Sequence, residues 1–309
     1  MNLSPQAFIL VPLFLSVSCR PVGNEFLCGG PSMGTTWSLR TLGSAPDQAQ
    51  VQRELDALES VFSTWRADSE ISRFNQTPPH QWFPVSAELS EAFLLAREVH
   101  DRSSGAFDPT VGPLTAAFGF GPPSLANPGA QPCLELIDYD PCRPALRKKT
   151  SAPTLDLSAL AEGFALERIA SRLLAAGHHN FLLELGGELL ARGDGPTGGG
   201  WRVGIQDPGI VGKSAATSLS LRNEALATSG TYRQREQRKE GTVTHIIDPR
   251  TRRPVAHDTV SVSVIAPSAI QADAWATALL VLGAEEGREM AGKAGLEALF
   301  LKASPEKVD

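Results

Sequence analysis

The chain has 309 residues, 42% of them hydrophobic and 20% charged, with a formal net charge of −6. This is ordinary globular composition, long enough for a sizeable core in one large domain or two joined lobes. An acidic balance without clustered Lys and Arg argues against a nucleic-acid partner, because phosphate neutralisation needs such clusters.

Residues 1–18 read as an export signal. Ala7 to Val17 is almost continuously apolar, too short for a permanent membrane span, and small residues precede a lone Cys19. Leu15-Ser16-Val17-Ser18-Cys19 resembles a lipobox, which would make Cys19 a lipidated anchor holding an exported protein on the periplasmic side of a bacterial membrane. Residues 2–19 carry no Lys or Arg, and Ser16 stands where Leu is usual, so a non-lipidated export signal or a start codon set too late is the alternative. Residues 19–31 lack periodicity and contain Pro, Gly and Asn, so they read as a linker before a folded domain spanning 32–309.

Leu55, Leu58, Val61 and Phe62 recur at helical spacing and predict an amphipathic helix from Asp47 to Phe62; a second helix is expected over Ala87 to Arg102. The following GAFDPTVGPL reads as a loop, since Pro109 and Pro113 remove backbone donors and Gly112 loosens the chain. Residues 119–132, rich in Gly and Pro, read as a surface excursion. Cys133 and Cys142 flank a Pro-rich stretch and could pair in an oxidising compartment, although spacing alone does not establish a disulfide. A helix over Leu160 to Ala176 precedes a strand at Phe181 to Leu185, a bend at Gly186-Gly187, and an extended Glu188 to Leu190. Further strands are expected at Trp201 to Gln206, Ser218 to Arg222, Val243 to Ile247 and Thr259 to Ala266, and the mixed-sign run Arg233 to Glu240 reads as a solvated loop. An Ala-rich helix closes the series from Ala269 to Leu282, stopped by Gly283. The irregular ordering favours an α+β fold.

Chemistry concentrates in four segments. Asp273 and Thr277 sit four apart on the last helix, so a carboxylate and a hydroxyl share one face; both are hard oxygen ligands suited to Mg²⁺, although such a pair is also an ordinary solvated face. The segment Asp156 to Gly163 is a helix start, capped by Ser158 in the plainest reading, and its unpaired N–H groups also suit an anionic ligand. Gly186-Gly187 marks either a hairpin corner or a close backbone approach. Histidine as a residue type titrates near neutrality, which makes His245 a candidate base, or else a structural histidine beside a strand.

Taken together, SMGTTW (32–37), FSTWRADSEISRFN (62–75), GAFDPTVGPL (105–114), DLSALAEGFALERIA (156–170), LELGGELLARG (183–193), ATSGTYR (227–233), HIIDPRTRRPV (245–255) and APSAIQADAWATALLVLG (266–283) resemble the ApbE family of flavin transferases in wording and order. The resemblance implies a T-fold-like set of mixed sheets flanked by helices, with flavin held between two lobes. It implies FAD as substrate, Mg²⁺ as cofactor, and FMN passed to a Ser or Thr of a membrane redox protein with release of AMP. Some similar proteins hydrolyse FAD to FMN and AMP instead, and a flavin-binding lipoprotein without catalysis is the reading from another class. Flavin contacts fall on Met33, Trp65, Ala106, Phe107, Asp108, Asp156, Glu162 and Ile247. Metal ligation falls on the carbonyl of Ala159 and on Asp273, Ala276 and Thr277, and His245 matches the residue that activates the acceptor hydroxyl. The chain departs from the pattern at Trp65, where Tyr is common, at Glu162, where Lys is common, and at Glu188, where GGD or GGN is usual.

Overall fold

The structure is a computed structural model describing residues 20–22, 24–206, 215–232, 235–238 and 241–303. Its main sheet has eight strands in the order Arg20–Val22, Glu25–Ser32, Thr35–Leu42, Phe181–Leu185, Glu188–Arg192, Ala225–Gly230, Thr259–Ala266 and Glu297–Lys302, each antiparallel to its neighbours. Side chains alternate between two buried faces, as a pleated strand requires. Phe181, Leu183 and Leu185 enter the main core, whereas Leu182 and Leu226 point the other way, beneath a hairpin of Trp201–Gln206 and Ala215–Leu221.

Six helices are described: α1 (Gln48–Phe62), α2 (Glu70–Gln76), α3 (Ala87–Arg102), α4 (Gly112–Ala117), α5 (Ser158–Ala175) and α6 (Ala269–Ala294). The first three are each started by a side chain that accepts a backbone N–H of the first turn: Asp47 from Gln50, Ser69 from Ser72 and Ser86 from Leu89. Each such cap contributes about 1 kcal/mol. A three-stranded sheet of Trp82–Pro84, Ala145–Lys148 and Ile137–Asp140 joins the same buried cluster through Ile137 and Leu146. The expected lobes therefore share one core with the main sheet.

Several expectations change. The linker is largely strand: Cys28 is fully buried, and Glu25–Ser32 pairs along its length with Thr35–Leu42, so Gly29 and Gly30 are sheet residues. GAFDPTVGPL ends in helix, because Pro113 lies in the first turn of α4, where its missing N–H costs nothing. Gly283, with φ 74° and ψ 179°, breaks the helical path without ending the element, which resumes to Ala294 and is followed by a strand that the periodicity did not signal. Arg235–Arg238 pairs with Gly241–Thr244 instead of forming a loop. Cys133 is buried and Cys142 exposed, each a free thiol. Residues 1–19, with the expected signal and Cys19, lie outside the described residues.

Candidate active site

A cavity of about 510 Å³ opens where α5, α6, the main sheet and the loop after α3 converge. The sheet contributes the turn between Glu25–Ser32 and Thr35–Leu42, whose two residues, Met33 and Gly34, both have positive φ (49° and 76°). Such turns match the twist of a hairpin, and glycine takes the second place without strain. Methionine at the first place is strained, a cost that commonly marks a functional position. Met33 lines the cavity.

The helical wall is built on a close crossing. A Cβ on Gly163 would lie 2.8 Å from Ala269 C and from Ile270 Cα, so only glycine lets α5 approach the start of α6 this closely. At the crossing the Gly163 N–H donates to Asp273 Oδ2 at 3.0 Å. Glu167 of α5 accepts the Ala269 N–H at 2.6 Å, tying α6 at its first turn, while Ser268 caps it. One turn beyond Asp273, the Thr277 hydroxyl lies 3.0 Å from the hydroxyl of Ser229 on Ala225–Gly230. The expected pair thus shares one face, and that face is buried: Asp273 is 6% exposed. Burial drives its carboxyl well above the usual range, the negative charge of Glu188 pushes the same way, and the Gly163 N–H opposes both.

Asp156 takes the role expected of Ser158. Its Oδ1 accepts the Ser158 N–H at 3.0 Å, while the N-cap of α5 is Leu157, without a side-chain cap bond. The aspartate is positioned from both sides, since its own N–H donates to Pro109 O at 2.7 Å and the preceding Leu155 is clamped by the Asn75 side chain of α2 through two 2.8 Å bonds. Asp108 is held by Thr110, whose N–H and hydroxyl donate to Oδ1 at 2.7 and 2.6 Å. Burial raises its carboxyl above the ordinary value, and the Thr110 bonds and His100 work against that shift.

The Gly186-Gly187 turn is held by the sheet. Gly186 N–H donates to Thr36 O and Gly187 N–H to Glu184 Oε1, both at 3.1 Å. Gly186 has φ 64°, and a Cβ there would lie 2.7 Å from Glu162 Oε2. Glycine therefore admits the Glu162 carboxylate to the site, and the turn delivers Glu188 to the cavity wall.

Met33, Ala106, Phe107, Asp108, Asp156, Ala159, Glu162, His245, Ile247, Asp273 and Thr277 all line this cavity. Trp65 lies in an adjoining one of about 490 Å³, which shares Met33, Asp156, Glu162 and His245 as a common wall. The indole is 70% exposed at the mouth. Ala276 is the exception: it is wholly buried and lines neither cavity. Five carboxylates, from Asp108, Asp156, Glu162, Glu188 and Asp273, face the first cavity, and among the described residues no Lys or Arg lines either one.

The sequence matches the model of the ApbE family over residues 33–300. The chain belongs to the ApbE family. A protein of Klebsiella pneumoniae called FAD:protein FMN transferase is 33% identical over 294 residues, covering 89% of this chain and 84% of its own length. The Escherichia coli K12 protein of the same name is 34% identical over 286 residues, covering 86% and 81%. The structure of the flavin transferase ApbE from Vibrio cholerae superposes with a TM-score of 0.80 at 32% identity, over 91% of this chain and 94% of that one. The ApbE-family α+β fold expected from the sequence is thus the observed one.

Within this ApbE-family chain, sequence reasoning missed Gly163, Ser229, Asn75 and Thr110 as builders of the site. A helical glycine in an Ala-rich run is a signal of close approach, and Gly163 was legible on that ground. Asn75 acts through a contact 80 residues away, to Leu155, which no local pattern shows, whereas Thr110 acts two residues back on Asp108.

Proposed function

We propose that this protein transfers FMN from FAD to a Ser or Thr hydroxyl of a partner protein and releases AMP, with Mg²⁺ as cofactor. The observation that carries this reading is the charge of the cavity. A dinucleotide diphosphate entering a wall that carries Asp108, Asp156, Glu188 and Asp273, without a lining Lys or Arg among the described residues, meets repulsion that a divalent cation removes. Asp273 and Thr277 offer the hard oxygens for that ion, with the Ala159 carbonyl at the start of α5 as a third donor. When bound, the ion neutralises charge on the departing phosphate.

The chain's own residues do the rest. Two adjoining chambers suit a ligand of two halves, and Trp65 at the mouth of the second offers an aromatic face for the flavin ring. His245 lies on the wall the chambers share. It accepts the proton of the incoming hydroxyl as that oxygen bonds to the FMN phosphorus; the phosphoanhydride bond breaks and its electron pair leaves with AMP. General-base assistance of this kind contributes roughly 10²- to 10⁴-fold.

Incubation with FAD, Mg²⁺ and a Thr-bearing acceptor peptide, followed by mass spectrometry, tests the reading. A peptide gain of one FMN is expected. Free FMN and AMP without that gain would make the chain an FAD pyrophosphatase, and retained FAD with no AMP would make it a flavin binder without catalysis. The apolar leader supports export and anchoring through Cys19 beside a membrane redox acceptor. Membrane fractionation with mass spectrometry of the N-terminus should find lipid on Cys19; a released, unmodified chain would refute the anchor.

A further inference from the structure

Glu188 is a site carboxylate to which the reaction above gives no part. It is the first residue of Glu188–Arg192, placed by a turn whose Gly187 N–H is fixed to Glu184, and it is only 6% exposed. Its Oε2 is buried without a hydrogen-bond partner among the described residues. The two other buried carboxylates on this wall have donors: Gly163 for Asp273, and Thr110 for Asp108. Glu188 faces the same cavity as Asp273 and Thr277, near enough for its charge to act on Asp273. Two carboxylates buried together without a counter-charge are unfavourable, and a cation between them turns that repulsion into binding.

We propose that Glu188 is a second anionic ligand of the divalent cation held by Asp273 and Thr277, so that the site takes Mg²⁺ before FAD arrives. The inference rests on the metal reading above and adds to it. One carboxylate leaves an Mg²⁺ site dependent on the substrate's phosphates, which usually complete its shell. A second makes the protein side neutralise the ion's charge unaided.

The test is thermal denaturation of the flavin-free protein against increasing Mg²⁺ alone, for wild type, Glu188→Gln and Asp273→Asn. Wild type should be stabilised with a saturable midpoint, because an ion that binds only the folded chain raises its melting temperature. Glu188→Gln should shift that midpoint upward about 10- to 100-fold, the range found when groups supporting a metal are removed. In EDTA the same variant should melt no lower than wild type, since it has lost one of two repelling charges; a merely structural glutamate would lower it. Glu188→Asp, which keeps the charge one methylene short, should fall between the two. An unchanged midpoint in Glu188→Gln, or in Glu188→Asp where the glutamine variant does not fold, overturns the proposal, as does a flavin-free wild type indifferent to Mg²⁺. If Asp273→Asn alone loses the response, the metal site stands without Glu188; if Asp273→Asn keeps it, the metal site itself is misplaced.

Discussion

Replacing Gly163 by alanine puts a methyl group against backbone that cannot step aside, 2.8 Å from Ala269 C and Ile270 Cα. Overpacking of this kind costs about 1–3 kcal/mol. Separating α5 from α6 also stretches the 3.0 Å bond from the Gly163 N–H to Asp273, and loss of a hydrogen bond to a buried carboxylate costs about 1–3 kcal/mol. Alanine regains about 1 kcal/mol of helix propensity over glycine. The net expectation is a loss of about 1–5 kcal/mol, or a fall in melting temperature of roughly 2–8 °C for a chain of this size. Differential scanning calorimetry in EDTA measures it without interference from metal. A melting temperature equal to or above that of wild type is what propensity alone gives, and it would refute the close crossing that places Asp273.

Further outcomes test the parts around that crossing. His245→Ala should lower FMN transfer by about 10²- to 10⁴-fold while leaving FAD affinity within a few-fold, as equilibrium fluorescence titration would show; equal losses in both would make the histidine structural. Trp65→Ala should weaken FAD binding by up to about tenfold, the worth of one aromatic stacking contact, yet shift unfolding by less than about 0.5 kcal/mol because the indole is exposed. In Mg²⁺-free buffer, stability should fall as pH rises through and above the carboxylate range. The folded Asp273 and Asp108 carboxyls sit above their usual values through burial, so their contribution is full at low pH and is lost as they ionise. Chemical denaturation midpoints across that range check the sign, and Asp273→Asn should flatten the dependence. Burial pushes the Cys133 thiol up to about 11, so alkylation of the native protein at pH 8 should label exposed Cys142 and spare Cys133 until denaturant is added; comparable labelling of both would contradict the buried placement.

Periodic segments were legible in the sequence and the contacts between them were not. Helix α1 and helix α3 follow from apolar spacing and from capping side chains at Asp47 and Ser86, and Phe181–Leu185 from an apolar run broken only by Glu184. Glu25–Ser32 escaped because Gly29, Gly30 and Pro31 read as linker. In the sheet, Gly29 is needed where a Cβ would strike the Trp37 backbone, a constraint visible only once the partner strand is known. The site divides in the same way. Asp273 and Thr277 announce themselves by a four-residue spacing, but their burial depends on Gly163 and Ser229, which lie 110 and 48 residues from the groups they touch. Glu188 stood out in the sequence only as a departure from a pattern, and its unpartnered oxygen in a carboxylate-lined cavity gives that departure a physical meaning.

The most direct test of metal-assisted transfer is the rate of AMP release from FAD, with acceptor present, as a function of Mg²⁺ for wild type and Asp273→Ala. Wild type should be silent in EDTA and rise to saturation with Mg²⁺, and Asp273→Ala should stay flat across the same range. Undiminished wild-type turnover in EDTA, or a variant that follows the wild-type curve, would contradict it.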